Sequence, residues 1–241
     1  MSTPSVWTMD VILIPGFWLD GASWGAVTPT LERAGHRVHA LTLPGLESPD
    51  ADRRGITLRD HIDAVVAVVD RCEDKVVLAG HSGGGAIAYA VADARPDRIA
   101  RVVYVDSAPL PHGRPINDKL SVVDGAIPLP DWSEFEEIDL RDLSDELRAS
   151  FRARAVPQPA AVANDPLVLA DERRYDVPTT VIACEFSSDL VREMLAQGNP
   201  MAAELGKIRD VELVDVHTGH WPQFTKPAEL AEAILRCVEM S

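Results

Sequence analysis

Short apolar runs alternate with helical patterns along most of this chain. The apolar runs are rich in β-branched residues and mostly continuous, which is typical of strands buried on both faces of a parallel sheet. They lie at Val11–Ile14, Arg37–Leu41, Lys75–Leu78, Val102–Val105, Thr179–Ile182 and Val211–Val216. Helices are predicted between them, at Trp24–Ala34, after a capping Thr57, at Ser82–Ala94 and at Pro227–Val238. This alternation predicts βαβ crossovers and an α/β fold with a doubly wound, mostly parallel sheet.

The alternation is interrupted once, between residues 107 and 176. This stretch contains eight prolines and no clear strand, and helical stretches are predicted at Asp131–Glu137 and Ser144–Arg154. A connection of about 70 residues is too long for an ordinary loop in a compact domain. We therefore predict that 107–176 is a helical insertion, a lid over the sheet edge, within a single domain covering residues 1–241.

Composition and charge exclude several classes of protein. The chain has 241 residues, of which 46% are hydrophobic, and a formal net charge of −15. A chain of this length buries a substantial core, and its hydrophobic content does not fit intrinsic disorder. The negative charge opposes binding to nucleic acid and to anionic membrane surfaces. We expect a protein with neither partner, and the sequence gives no indication of its oligomeric state.

The chain shows neither a membrane-spanning pattern nor a signal-peptide pattern. The longest apolar run, Ala64–Val69, is far shorter than the roughly 20 residues that a spanning helix needs. Residues 1–10 have no basic segment followed by an apolar one. The three cysteines, Cys72, Cys184 and Cys237, form no CxxC pair. These features predict free thiols and a cytoplasmic location.

One motif carries clear catalytic chemistry. Gly80-His81-Ser82-Gly83-Gly84 follows a predicted buried strand and opens a helix rich in small residues. This is the G-x-S-x-G pattern of a nucleophile elbow, in which a strained turn projects the serine hydroxyl from the sheet edge. A chance match in a glycine-rich turn is the alternative, but the flanking strand and helix favour Ser82 as a nucleophile.

Two further segments complete this chemistry. Pro15-Gly16-Phe17 follows the first predicted strand, so the N–H groups of Phe17 and Gly83 are the expected donors to an oxyanion. His220 follows the last predicted strand and lies downstream of Ser82, as a general base in this chain order must. His217 and His220 lack a third ligand at a suitable spacing, so we expect no metal site.

These motifs resemble the α/β-hydrolase superfamily, and most closely its small serine esterases, with their methylesterase and hydroxynitrile-lyase relatives. The resemblance covers nearly the whole chain outside 107–176. It implies a sheet of the α/β-hydrolase type and an enzyme that needs no cofactor. One departure is Pro15, where many members carry a histidine before the glycine of the oxyanion loop.

A Ser-His-acid triad also needs a carboxylate, and the sequence offers more than one position for it. In most relatives it follows the strand at Thr179–Ile182, but the corresponding position here is Ser187. Asp189 lies two residues further on, and Glu185 lies two residues earlier, within the predicted strand end. The other possible position follows the preceding strand, Val102–Val105, and is occupied here by Asp106. This arrangement resembles that of haloalkane dehalogenases, some of which carry a glutamate there. We favour Asp106 and keep Asp189 as the alternative.

The sequence thus predicts a serine hydrolase that cleaves a small carboxylic ester. The same triad serves lyases of the hydroxynitrile type, and a non-catalytic binding protein of this fold is a further alternative. Eight acidic residues lie between Asp131 and Glu146, with Asp124 just upstream as a ninth. We therefore expect neutral or cationic substrates to be preferred over carboxylated ones. Trp18, Trp132 and Phe135 are candidate pocket walls, and Trp221 is expected beneath the catalytic loop.

Overall fold

A six-stranded parallel sheet forms the centre of the molecule, as the computed structural model of residues 8–241 shows. These described residues form eight strands: β1 Asp10–Ile14, β2 Arg37–Ala40, β3 Val76–His81, β4 Ile99–Val105, β5 Ala126–Ile127, β6 Gln158–Pro159, β7 Thr179–Ala183 and β8 Val211–Asp215. The sheet has the strand order β2-β1-β3-β4-β7-β8, and β5 and β6 form a separate antiparallel pair. All five pairings within the large sheet are parallel, so the predicted fold class is confirmed.

Helices cover both faces of this sheet. They are α1 Thr28–Arg33, α2 Leu58–Val69, α3 Gly83–Ala94, α4 Asp145–Arg154, α5 Ala160–Asn164, α6 Ser188–Ala196, α7 Pro222–Thr225 and α8 Pro227–Glu239. The predicted start of α2 is confirmed, because Thr57 and Asp60 form a reciprocal capping box. No helix within residues 8–241 is long and apolar enough to span a membrane.

The alternation of side chains along the strands divides the core into two layers. On β1, Ile12 and Ile14 belong to the layer that includes α2, α3 and parts of the 107–176 segment. Val11 and Leu13 belong to the opposite layer, which includes α1 and α8. All four side chains are fully buried. Burial on both faces explains why the strands read as continuous apolar runs in the sequence.

The helix predicted at Trp24–Ala34 is shorter than expected. A 3-10 turn covers Gly21–Trp24, and α1 begins only at Thr28. Pro29 lies in the first turn of α1, where its fixed φ fits the helix and its missing N–H is not needed. The helix ends before Gly35, which has a φ of 95° and terminates it as predicted.

The predicted helix at Asp131–Glu137 is wrong. Only a 3-10 turn forms, at Trp132–Glu134. Phe135 then takes an extended backbone (φ −92°, ψ 149°), which ends the turn. Its ring instead packs edge-on against Trp18 and Trp221 at centroid distances of 6.0 and 5.4 Å. Tertiary packing of this ring therefore overrides the local helical pattern.

Candidate active site

Ser82 lies in the sharp turn between β3 and α3. Its φ of 51° and ψ of −124° fall outside the regions that non-glycine residues normally adopt. Such backbone strain costs about 1–3 kcal/mol and persists only where the surroundings enforce it. Here Gly84 allows close packing, because a Cβ on it would lie 2.6 Å from the carbonyl oxygens of Ile14 and Pro15. The strained turn at Ser82 is therefore held in place by close packing against the end of β1 and the loop that follows it.

The loop after β1 lies directly beside this turn. A Cβ placed on Gly16 would lie 3.0 Å from the Cβ of Ser82, and Phe17 lines the same cavity as Ser82 and Gly83. Among residues 8–241, the backbone N–H groups of Phe17 and Gly83 donate no hydrogen bond to another protein atom. Both residues thus bring an N–H group without a protein acceptor to the cavity that Ser82 also lines.

His220 connects Ser82 to a carboxylate through its two ring nitrogens. Nε2 lies 2.8 Å from the Oγ of Ser82, and Nδ1 lies 2.7 Å from the Oδ2 of Asp106. Nδ1–H therefore donates to the carboxylate, which leaves Nε2 free to accept the serine proton. Burial alone would lower the pKa of His220, but the neighbouring carboxylates of Asp106 and Glu185 raise it above its ordinary value.

The carboxylate of Asp106 is held at the end of β4 by two backbone amides. Its Oδ1 accepts the N–H of Cys184 at 3.0 Å and that of Glu185 at 3.1 Å. Burial alone would raise the pKa of Asp106, but the hydrogen bond and charge of His220 outweigh it and lower that pKa. Asp106 is thus an ionised group with a fixed orientation toward the imidazole.

The structure does not bring Asp189 to this site. Its side chain is 91% exposed in the first turn of α6, where it pairs with Arg192 at 2.7 Å. Glu185, which the sequence analysis set aside, is a neighbour of His220 instead, with Oε1 3.1 Å from Nδ1. No sequence signal marks it, because the apolar pattern of β7 does not show that the strand ends at Ala183, which leaves Glu185 in the turn beyond.

Two large side chains support the loop that carries His220. His81 is buried, and its Nε2–H donates to the carbonyl oxygen of His220 at 2.6 Å. Burial lowers the pKa of His81 to about 3, so it is neutral and acts on the loop as a hydrogen-bond donor. Trp221 is fully buried beneath the loop, as predicted, against Phe135 and Phe151.

Backbone atoms of the 107–176 segment also hold this loop. The N–H of Gly219 donates to the carbonyl oxygen of Arg141 at 3.1 Å, and the N–H of His220 donates to that of Asp139 at 2.8 Å. The segment is therefore packed directly onto the loop that carries the imidazole.

A cavity of about 770 Å³ opens over Ser82 and His220. Trp18 and Phe135 line it, as predicted, but Trp132 does not and packs against Phe135, Phe151 and Trp221 instead. Most of the remaining lining comes from the 107–176 segment. The charged lining residues are Asp106, Lys119, Asp131, Glu134, Asp139 and Glu185. The wall is therefore strongly acidic, with one cation.

Two groups of side chains in the described part of the chain have metal-ligand spacing. The ligand atoms of Asp106, Glu185 and His220 lie within 4.8 Å of one another, but the imidazole already contacts both carboxylates. In the second group, which contains His39 and Cys72, the carboxylate of Asp10 is already held by the guanidinium of Arg37. The expectation of no metal site stays a prediction.

The sequence matches a known family over most of its length. The model of the alpha/beta hydrolase family matches residues 11–233. A pyrethroid hydrolase of Sphingobium wenxiniae is 38% identical over 97 residues, which cover 40% of this chain and 35% of that protein. Lipase LipV of Mycobacterium tuberculosis is 28% identical over 201 residues, which cover 74% of each chain.

Similar solved structures extend over nearly the whole chain. One is an extracellular alpha/beta-hydrolase of a Paenibacillus species, described as sharing structural and functional homology with tobacco salicylic acid binding protein 2. It superimposes with a TM-score of 0.76 at 23% identity and covers 95% of this chain and 98% of its own. At this identity the likeness concerns the fold.

Proposed function

The chain belongs to the alpha/beta hydrolase family, and we propose that it is a serine esterase that cleaves small carboxylic esters through Ser82, His220 and Asp106. The observation that carries this proposal is the continuous chain of hydrogen bonds from the serine hydroxyl through both imidazole nitrogens to a buried carboxylate. The names of its relatives, among them hydrolases and a lipase, support the same reaction class.

The proposed reaction has two steps. The Oγ of Ser82 attacks the ester carbonyl while its proton passes to the Nε2 of His220. The free N–H groups of Phe17 and Gly83 stabilise the oxyanion of the tetrahedral intermediate. The imidazolium returns the proton to the leaving alkoxide, which departs as the alcohol and leaves an acyl-enzyme. His220 then deprotonates a water molecule that attacks the acyl carbonyl, and its proton goes back to Ser82.

The role proposed for Asp106 is to hold the imidazole in one tautomer and to stabilise it when protonated. Its two backbone hydrogen bonds fix it for this task before substrate binds. No cofactor enters this scheme, because the serine supplies the nucleophile and the imidazole moves every proton.

We further propose that the 107–176 segment is the lid that shapes the substrate pocket. It supplies most of the acidic lining of the cavity, so an anionic substrate would meet an unfavourable potential there. The expected substrates are neutral or cationic small-molecule esters. Comparison of esters that differ only by a carboxylate or a carboxamide tests this, and a higher kcat/KM for the carboxylate at low salt would overturn it.

Two measurements test the esterase reaction itself. A chromogenic acetate ester is expected to give a burst of alcohol equal to the enzyme concentration if an acyl-enzyme accumulates. An organophosphonate is expected to modify Ser82, as located by peptide mass spectrometry, and to leave Ser82→Ala unmodified. Hydrolysis without any adduct at Ser82 would refute the covalent scheme. A cyanohydrin cleaved without an acyl-enzyme would identify lyase chemistry instead.

The assignment of the acid has its own test. Asp106→Asn is expected to lower kcat strongly, since the imidazole loses its nearest carboxylate. Asp189→Asn is expected to leave kcat unchanged, because that side chain is 91% exposed and bonded to Arg192. The opposite pair of results would make Asp189 the acid.

The cytoplasmic location, which rests on the free thiols, also stays a proposal.

A further inference from the structure

A second carboxylate lies beside the Nδ1 of His220 that contacts Asp106. The Oε1 of Glu185 lies 3.1 Å from Nδ1, and the Oδ2 of Asp106 lies 2.7 Å from the same atom. A ring nitrogen carries one proton, so this single N–H faces two acceptors. The reaction scheme above uses only Asp106. Glu185 is thus a part-buried acid beside the proposed base, and the scheme assigns it no role.

The turn after β7 holds the two carboxylates together. The N–H of Glu185 itself donates to the Oδ1 of Asp106 at 3.1 Å, and the side chain of Glu185 is only 13% exposed. The two carboxylates, whose nearest oxygens lie within 4.8 Å of each other, repel each other in this partly buried site when both are ionised. Their closeness is tolerated because both contact the imidazole, which becomes the cation that pairs with them.

The surroundings of the imidazole come from four parts of the fold. They are Ser82 and His81 at the elbow, Asp106 after β4, Glu185 after β7, and Asp139 from the 107–176 segment. His81 is neutral, and the hydroxyl of Ser82 is uncharged. Asp139 contacts this region through its backbone, since its carbonyl oxygen accepts the N–H of His220 at 2.8 Å. Among the described residues, Asp106 and Glu185 are therefore the two carboxylates in direct contact with the imidazole.

We propose that Glu185 is a positioning residue that holds the Nδ1 side of His220 together with Asp106 and orients the imidazole alone when Asp106 is lost. This inference rests on the proposed esterase reaction, in which His220 is the base. Burial raises the pKa of Glu185, the contact with His220 opposes this, and the charge of Asp106 raises it again. Glu185 thus sits where a change in its charge acts directly on the basicity of His220.

The proposal predicts how two substitutions combine. Loss of a triad carboxylate lowers kcat by about 10⁴ when no other group orients the imidazole. Asp106→Asn alone is therefore expected to lose clearly less than this, because Glu185 remains at Nδ1. The double variant Asp106→Asn/Glu185→Gln is expected to lose the full factor. Glu185→Gln alone should lower kcat only slightly, because Asp106 still orients the imidazole. The same substitution should lower kcat much more in the Asp106→Asn variant, where no carboxylate then remains at Nδ1.

A pH profile separates positioning from a merely structural role. Removal of the negative charge of Glu185 lowers the pKa of His220, so the acidic limb of kcat/KM moves to lower pH by about one unit. Glu185→Asp retains the charge and should keep the limb nearer to that of the wild type. Glu193→Gln removes an exposed carboxylate from α6 and is the matched control, for which no shift is expected.

A titration of the His220 ring by ¹⁵N NMR gives a readout that needs no substrate. A lower pKa in Glu185→Gln than in the wild type, with no change in Glu193→Gln, supports the proposal. Equal pKa values in all three proteins overturn it, as does an equal effect of Glu185→Gln with and without Asp106. If the wild type neither hydrolyses esters nor reacts at Ser82, the esterase proposal fails, while the titration still decides the contact between Glu185 and His220.

Discussion

Gly219 couples the 107–176 segment to the loop that carries His220. Its backbone approaches that of residues 139–141 so closely that a Cβ on Gly219 would lie 2.7 Å from the carbonyl oxygen of Arg141 and 2.8 Å from the nitrogen of Arg141. The nearest atoms are backbone and cannot rotate away. Its φ lies outside the left-handed region, so the absence of space, and not backbone strain, is what requires glycine here.

Gly219→Ala must therefore separate the loop from the segment. The change removes two backbone hydrogen bonds, from Gly219 to Arg141 and from His220 to Asp139. At about 1 kcal/mol for each bond, the free energy of unfolding falls by about 2 kcal/mol. For a domain of this size, that is a decrease in Tm of about 4–8 °C. A displacement of the imidazole by about 1 Å lowers kcat by a factor on the order of 10².

Thermal unfolding followed by circular dichroism measures the first effect, and kcat on a chromogenic ester measures the second. Gly206→Ala is the matched control, because the nearest atom to its Cβ would be a side-chain carbon of Leu195 at an ordinary 3.5 Å. That variant is expected to keep full activity and a wild-type Tm. If Gly219→Ala behaved in the same way, the contact between the segment and the loop would not position His220.

Three further predictions concern stability. Trp221→Ala, which empties a fully buried site in an aromatic cluster, is expected to lower the free energy of unfolding by about 3–5 kcal/mol in urea denaturation. Arg174→Met is expected to cost about 3 kcal/mol by the same measurement, because it leaves the buried carboxylate of Asp93 without its guanidinium 3.1 Å away. The hydrogen bonds of Arg37 lower the pKa of Asp10 to about 2 from 3.8, so this pair stabilises the fold above about pH 4. The stability difference between wild type and Arg37→Gln is therefore expected to shrink as the pH falls from 4 towards 2, and a constant difference would contradict this.

Much of the site could be predicted because parallel strands deliver their carboxyl ends to one edge of the sheet. Ser82, Asp106 and His220 each come just after a strand that the apolar pattern had located, at β3, β4 and β8. Proximity then follows from the topology, without knowledge of any side-chain contact. The same reasoning places Asp189 only in the first turn of α6, from which its side chain points to solvent.

What could not be predicted depends on contacts between segments without a regular period. Glu185 was assigned to a strand end because the pattern of β7 does not show where pairing stops. The contacts of Asp139 and Arg141 with the loop of His220 join residues about 80 positions apart in irregular backbone. The missing helix after Asp131 has the same origin, since the packing of Phe135 decides its backbone.

The position proposed for the acid depends on residues at the ends of two strands. At Ser187, the position that the family resemblance implies for the acid, the hydroxyl caps α6 by accepting the N–H of Leu190 at 3.2 Å. The carboxylate comes from Asp106 on the neighbouring strand, yet the amides that fix it belong to Cys184 and Glu185 in the turn after β7. The turn after β7 thus orients a carboxylate that comes from β4. Because β4 and β7 are adjacent and parallel, a carboxylate from either strand can reach the same point beside His220.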